Sequence, residues 1–380
     1  MSKRIAFINT TYGVGSTGKI VEQLHNSVKE NGYESLVIYS RNNTIDTSEV
    51  RKVYSSYGFY HHVINALVFD KHGLYSNQNT DQIIELLEEF KPDLINLHNV
   101  HGFYLNYVKL MGYIKSKQIP VVLTLHDCWT FTGFCSHYEG NQCSKWMNGC
   151  KECKFRNVYP YRLFGSNSEN NFKLKQDSFN YGKLTIVTPS LWLQGEVSKS
   201  MLWNRDIYTI TNSINTQLFK KDNTVVRSND IILAVSNIWT KHKGIDDLII
   251  LTKLLNDNKK LIVVGKGSSK LKGIESYERL PQEMLVSLYK KASCFVNLTY
   301  EDTYPTVNLE ALLCGCPVIT YRSGGSSELC NHKDNIVDKG RIEEVAKLIN
   351  DNSFVSKVNY PEPKNMCVEY IKLFNSILEV

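Results

Sequence analysis

Residues 300–320 read YEDTYPTVNLEALLCGCPVIT, a stretch that joins a strand end, a turn carrying Asp302, a helix opening at Pro305 and a further strand from Pro317. Proline suits the first turn of a helix because the N–H it lacks would have no partner there. The amides of Thr306 and Val307 then point out of the helix N-terminus, where unpaired N–H groups and the helix dipole favour an anion such as a diphosphate. Glu310 follows a little over one turn later. A carboxylate there can accept hydrogen bonds from two vicinal hydroxyls, as proteins commonly hold a ribose. Taken alone, Asp302 and Glu310 read better as solvated acids at a helix start. The flanking string reverses that preference.

The same alternation extends outward along nearly the whole chain. Short apolar runs rich in β-branched residues stand at Ile5–Asn9, Ser35–Ser40, Asp93–His98, Val121–Leu125, Leu184–Thr188, Ile231–Ser236, Leu261–Gly265, Cys294–Thr299 and Pro317–Tyr321. Each has the character of a strand buried on both faces. Helical patterns lie between them. In one, Thr80 is placed as the cap, Ile83, Ile84, Leu87 and Phe90 share a face, and Pro92 ends the helix. The fold class is therefore α/β with parallel sheets wound on both sides, and ligands are expected beyond the C-terminal ends of the strands. The polar stretch NSINTQLFKKDNTVVRSND at 212–230 breaks the pattern near the connection between two domains. A closing helix from Met366 carries Cys367, Tyr370, Ile371 and Phe374 at core spacing.

Two further loops offer phosphate chemistry. After the first strand, Thr10–Lys19 reads TTYGVGSTGK, and its glycines let backbone amides approach a phosphate at a helix start. The string fits a nucleotide-triphosphatase loop up to Lys19, but Ile20 stands where Ser or Thr must hold magnesium. A tight turn without a ligand stays open for this loop. In the second domain SNIWTKHKGIDDLI sets Lys241, His242, Lys243 and Gly244 before a helix. Lysine there can neutralise a departing diphosphate, although a lone basic loop is usually only solvated.

At 380 residues the chain fits two α/β domains, and 42% hydrophobic against 22% charged residues is a soluble balance. No apolar run approaches the roughly 18 residues of a membrane helix, and the N-terminus becomes a strand at once, so a cytoplasmic location is expected. The charge of +6, from 44 basic and 38 acidic residues, is too diffuse for a nucleic-acid binder. It tolerates an anionic substrate or lipid surface. The amphipathic segment Tyr60–Leu74 and the basic stretch Lys151–Lys175 read either as lipid contacts or as an ordinary helix and loop. Cys135, Cys143, Cys150 and Cys153 share one loop ending in Cys-x-x-Cys. Four thiolates at tetrahedral reach suit structural zinc, with His137 as a spare ligand. The irregular spacing leaves buried reduced thiols, or a disulfide pair, equally open.

The string DTYPTVNLEALLCGCPVIT, with GGSSE at Gly324–Glu328, WTKHKG at 239–244 and NSIN at Asn212–Asn215, resembles family 4 of the retaining glycosyltransferases, which have the GT-B fold. The motifs fall in family order over almost the whole chain. LHDCWTFTGFC at 125–135 and the cysteines after it further resemble a bacterial subgroup that builds capsular, exopolysaccharide or O-antigen chains. The resemblance implies two Rossmann-like domains facing across a cleft. Residues 1–206 with 363–380 would bind the acceptor, the last helix crossing back onto that domain, and 207–362 would bind a nucleotide-diphosphate sugar. It implies retaining transfer to a hydroxyl of a polyprenyl-diphosphate-linked glycan at the inner membrane face, with no metal or cofactor needed for catalysis. Asp302 and Glu310 match the ends of the family's acid–seven residues–acid motif, the first on the donor sugar and the second on the ribose. Lys243 matches the lysine on the diphosphate, His126 a histidine near the sugar's 6-hydroxyl, and Gly13 and Gly15 the loop facing the diphosphate. Three departures are visible. Asp302 replaces a usual Glu, with Glu301 one position off register. Pro305 replaces a usual Gly. Asn237 replaces an arginine that assists the lysine, leaving Lys241 or His242 to supply that charge. A sugar-nucleotide epimerase of similar architecture and a P-loop nucleotide triphosphatase are the competing readings.

Overall fold

Near-continuous burial along the inner strands dictates two sheets, each covered by helices on both faces. The computed structural model describes residues 2–271, 273–358 and 365–379. The chain divides into two compact units, Met1–Thr211 with Lys364–Val380, and Asn212–Pro363. The first runs β1 (Arg4–Ile8), α1 (Gly15–Glu30), β2 (Glu34–Tyr39), β3 (Val50–Lys52), α2 (Ser56–Phe69), α3 (Asn77–Phe90), β4 (Leu94–Leu97), α4 (Tyr107–Lys117), β5 (Val121–Thr124), α5 (Ser168–Phe179), β6 (Leu184–Thr188), α6 (Leu191–Val197) and β7 (Asp206–Thr209). The second runs β8 (Ile231–Ile238), α7 (Ile245–Leu254), β9 (Lys260–Lys266), β10 (Glu275–Tyr277), α8 (Gln282–Lys291), β11 (Cys294–Asn297), α9 (Thr306–Leu313), β12 (Val318–Tyr321), β13 (Ile336–Val337) and α10 (Ile342–Asn350). Then α11 (Met366–Leu378) returns to the first unit.

The first sheet has seven strands in the order β3-β2-β1-β4-β5-β6-β7, the second six in the order β10-β9-β8-β11-β12-β13. Every strand pair is parallel. Strand order reverses between β1 and β4 in one sheet and between β8 and β11 in the other. Such switch points open crevices beyond the strand C-termini, where ligands sit in doubly wound folds.

Successive residues of β1 serve opposite cores: Ala6 and Ile8 face α3 and α4, while Ile5 and Phe7 face α1 and α11. Met366, Tyr370 and Phe374 bury one stripe of α11 against that second face, and the Tyr370 hydroxyl lies 2.9 Å from Thr124 Oγ1. The closing helix is therefore part of the first core. Two particulars differ from the sequence reading. The connection falls after Thr211, not 206, because Asp206–Thr209 pairs with β6 as the last strand of the first sheet; the return boundary at 362/363 lies outside the described residues. Ser76, not Thr80, stands at the N-cap of α3, and the Thr80 hydroxyl instead donates to Ser76 O within the first turn.

Candidate functional site

In the second unit, the loops after β8 and β11 flank the switch point and are tied together by backbone. Tyr300 N donates to His242 O at 3.0 Å, and His242 Nε2 lies 3.0 Å from Glu301 O. Gly244 has φ +77°, and a Cβ there would fall 2.2 Å from Leu298 O. Only glycine permits that approach. The result is a short link between Lys243 and Asp302, whose Nζ and Oδ2 are 2.6 Å apart and partly exposed. Glu301 is fully buried, so Asp302 is the acid that meets the lysine. The GGSSE segment presses on the same turn: Gly325 N donates to Asp302 O at 2.8 Å, and a Cβ on Gly324 would meet that oxygen at 2.1 Å. Lys241 points away, 89% exposed and 3.9 Å from Asp246, and Asn237 is exposed.

The helix α9 begins at Thr306, with Pro305 as its N-cap in extended conformation, one residue later than the sequence reading. Thr306 and Val307 are therefore its first two helical residues, whose amides have no partner within a helix. Glu310 is half-buried, and Tyr289, buried on α8, donates its hydroxyl to Glu310 Oε2 at 3.0 Å. Burial, then the Glu310 charge, hold the Tyr289 phenol well above its usual range, so it stays a donor. Sequence reading missed Tyr289, because α8 and α9 meet only in the folded unit.

In the first unit Gly13 and Gly15 both adopt positive φ, 69° and 70°, in the turn that leads from β1 into α1. Ile20 is a core residue of α1. Beyond β4 and β5 a hydrogen-bonded chain fixes His126. Asn96 donates to Val122 O and Thr124 Oγ1, which leaves its Oδ1 to accept from His98 Nε2 at 3.1 Å. Burial lowers both histidines, His126 to about 4, so both are neutral. His98 Nδ1 must then accept from His126 Nε2, 2.9 Å away, and His126 Nδ1 becomes an acceptor, suited to a hydroxyl donor.

Among the described residues no group of three or more His, Cys, Asp and Glu comes together as a metal site. Cys135 and Cys150 are buried in the first core with Cys143 and Cys153 packed at its margin. Burial pushes the Cys150 thiol up to about 11, and its sulfur accepts from Gly133 N at 3.1 Å. The basic stretch is corrected at its end. Lys175 is fully buried over the Trp129 ring, donates to Trp129 O and Thr132 O, and is brought down to about 7 by burial. Lys151, Lys154, Arg156 and Lys173 remain on the surface.

Comparison with known proteins now adds to this geometry. The model of the family described as Glycosyltransferase Family 4 matches residues 17–218, and that of Glycosyl transferases group 1 matches 216–353. A putative colanic acid biosynthesis glycosyl transferase, WcaC, of Escherichia coli (strain K12) is 24% identical over 258 residues. That similarity covers 63% of this chain and 62% of the relative. Among solved structures, sucrose-phosphate synthase of Thermosynechococcus elongatus superposes with a TM-score of 0.64 at 13% identity, over 99% of this chain and 96% of that one. HepE of Anabaena, solved in complex with UDP-glucose, gives 0.60 at 14% identity over 99% and 98%. These likenesses agree with the two parallel-sheet, Rossmann-like units in assigning the GT-B fold. The two family models tile the chain from the first helix to beyond α10, and the chain belongs to glycosyltransferase family 4.

Proposed function

We propose that the protein transfers a sugar, with retention, from a nucleotide-diphosphate sugar to a hydroxyl of a glycan in bacterial surface polysaccharide synthesis. The observation that carries this reading is the Lys243–Asp302 pair at the second switch point, followed by the N-terminus of α9. Lys243 and the Thr306 and Val307 amides stabilise the negative charge growing on the departing diphosphate. Asp302 and His126 hold hydroxyls of the transferred sugar, and Glu310 holds the ribose. Gly13 and Gly15 keep the β1–α1 turn open to the phosphates. A phosphate oxygen takes the acceptor proton on the face the leaving group vacates. Lysine and helix dipole supply the positive charge, so no metal takes part. The HepE complex supports a sugar nucleotide as the donor class, and the colanic acid relative supports polysaccharide synthesis.

Thermal-shift screening of the full chain against a panel of nucleotide sugars tests the donor class. With the donor so found, Glu310→Ala is expected to weaken binding of the free nucleoside diphosphate about 10- to 100-fold, the worth of a hydrogen-bonded charged group. Unchanged affinity by calorimetry would remove Glu310 from the ribose.

The acceptor is proposed to be a polyprenyl-diphosphate-linked glycan, met at the inner membrane face. Among the described residues no helix is long and apolar enough to cross a membrane. Tyr57, Tyr60 and Ile64 share an exposed face of α2. The exposed Leu163 and Phe164 lie beside it, fixed by Leu163 N donating to Leu67 O at 2.8 Å. Arg156 Nη1 reaches Leu163 O and adds a positive rim. Aromatic side chains flanked by cations suit an anionic lipid interface. Co-sedimentation with phosphatidylglycerol vesicles is expected and should fall with salt; Tyr60→Asp with Ile64→Asp should abolish it. Recovery of the native chain in the supernatant at low salt would end the lipid part.

A further inference from the structure

At the C-terminal edge of the first sheet stands a cation with no counter-charge. Arg41 follows β2, and its backbone N–H donates to Thr10 O at 2.8 Å. Its guanidinium carbon lies 5.6 Å from the centre of the Phe59 ring. Nε is buried without a hydrogen-bond partner, and among the described residues no carboxylate pairs with this side chain. The nearest loop is shaped around it. Gly102 has φ +109°, and a Cβ there would lie 2.9 Å from Thr10 Oγ1 and 3.2 Å from Arg41 Nη2. The adjacent His101 has Nε2 2.9 Å from Asp127 Oδ2 and Nδ1 3.3 Å from the Tyr159 hydroxyl.

The acidic group of this cluster is already engaged. Burial works to raise Asp127, but His101, His137 and the Trp129 N–H outweigh it and bring the carboxyl down to about 2. Its charge is therefore spent on His101 and does not serve Arg41. Burial, reinforced by Asp127, keeps Tyr159 a phenol with a proton to donate. A half-buried guanidinium with an orphaned N–H carries a desolvation cost that only an acceptor can offset. Its planar fork matches a carboxylate or a phosphate. Thr10 follows β1 and His101 follows β4, the two strands that flank the switch point of this sheet.

We propose that Arg41, with Tyr159 and His101 beside it, is an anion subsite for the acceptor, taking either the carboxylate of an acidic sugar or a phosphate ester. This deepens the proposed transfer reaction by giving its acceptor a negative charge near the reacting hydroxyl, and it rests on the first unit binding the acceptor.

The test is calorimetric titration of the full chain, saturated with UDP to occupy the donor phosphate site, with glucuronate, glucose 6-phosphate and glucose. One anionic sugar is expected to bind at least ten-fold more tightly than glucose. Tighter glucuronate identifies a carboxylate, and tighter glucose 6-phosphate a phosphate. Arg41→Gln should erase the preference, Arg41→Lys should retain part of it, and Tyr159→Phe should weaken it about three-fold, all with UDP affinity within two-fold of the native chain. Equal or undetectable binding of the three sugars, or an anion preference that survives Arg41→Gln, overturns the subsite. Failure of UDP itself to bind would instead count against the donor reading, and the sugar titrations without UDP would still decide the subsite.

Discussion

Replacing Lys243 by alanine is expected to lower kcat by on the order of 10²–10³-fold, the cost of removing one preorganised group from a developing negative charge. Under the proposed reaction the diphosphate leaves with more negative charge than it had when bound, so Lys243 gains more in the transition state than in the ground state. The structure holds it ready for that gain. Gly244 locks the loop against Leu298 O, and the ammonium already rests on Asp302 at 2.6 Å. The ground-state loss should be smaller, because Lys243 is a third exposed and water screens the bound diphosphate. Most of the defect therefore belongs in kcat, with KM for the donor moved less. Lys243→Arg should recover only part, since a longer planar group cannot occupy the same point beside Asp302. Turnover of the native enzyme is expected to be unchanged by EDTA. A kcat for Lys243→Ala within three-fold of native would overturn the assignment, and turnover lost to EDTA and restored by magnesium would overturn the metal-free mechanism.

What the sequence showed and what it hid have one physical division. All nine apolar runs became inner strands, because a strand covered on both faces is apolar at nearly every position. The missed strands are VRK, DIYT, ESY and IV, which are β3, β7, β10 and β13, the four edges of the two sheets. An edge strand is short and often polar, so its ladder is decided by tertiary pairing and leaves little periodic trace. The site divides similarly. Gly244, Asp302, Pro305 and Glu310 sit in contiguous strings whose spacing follows from one loop and one helix start. Tyr289 on Glu310, Asn96 behind His98, and Arg41 beside Gly102 are partners brought from different elements, and no local pattern announces them. The cysteine loop is the converse case: a spacing compatible with zinc stands in side chains that lie in the first core or pack at its margin. The basic stretch Lys151–Lys175 reads either as a lipid contact or as an ordinary loop, yet α5 turns Lys175 onto Trp129.

That same loop is held to α2 by a buried ion pair, and removing the cation of the pair is expected to destabilise the first unit by about 3–5 kcal/mol. Arg162 and Asp70 have side chains only 2% and 3% exposed, with Nη1 and Oδ2 3.2 Å apart. Arg162 also donates to Cys153 O and stacks 4.9 Å from the centre of Phe134, while Asp70 Oδ2 accepts from Asn167 N at 2.9 Å. Burial raises the Asp70 carboxyl above its usual range even though Asn167 and Arg162 pull it down, so here desolvation exceeds attraction. A folded value above the unfolded one means that stability from this group is full below the unfolded pKa and is lost as pH rises through the folded one. Arg162→Met removes the attraction and leaves the desolvation, which raises the folded value further. The penalty should therefore be largest at pH 7.5 and visibly smaller at pH 5, where the stranded carboxyl can take up a proton. Adding Asp70→Asn should recover at least half of the loss, because asparagine tolerates the left-handed backbone at this position, φ 53°, and keeps an acceptor for Asn167. Urea unfolding followed by tryptophan fluorescence suits the measurement, since Trp129, Trp146, Trp192 and Trp203 all belong to the first unit. A penalty below about 1 kcal/mol, within the range of an exposed pair, or one equal at both pH values, would show that the pair is not buried as described.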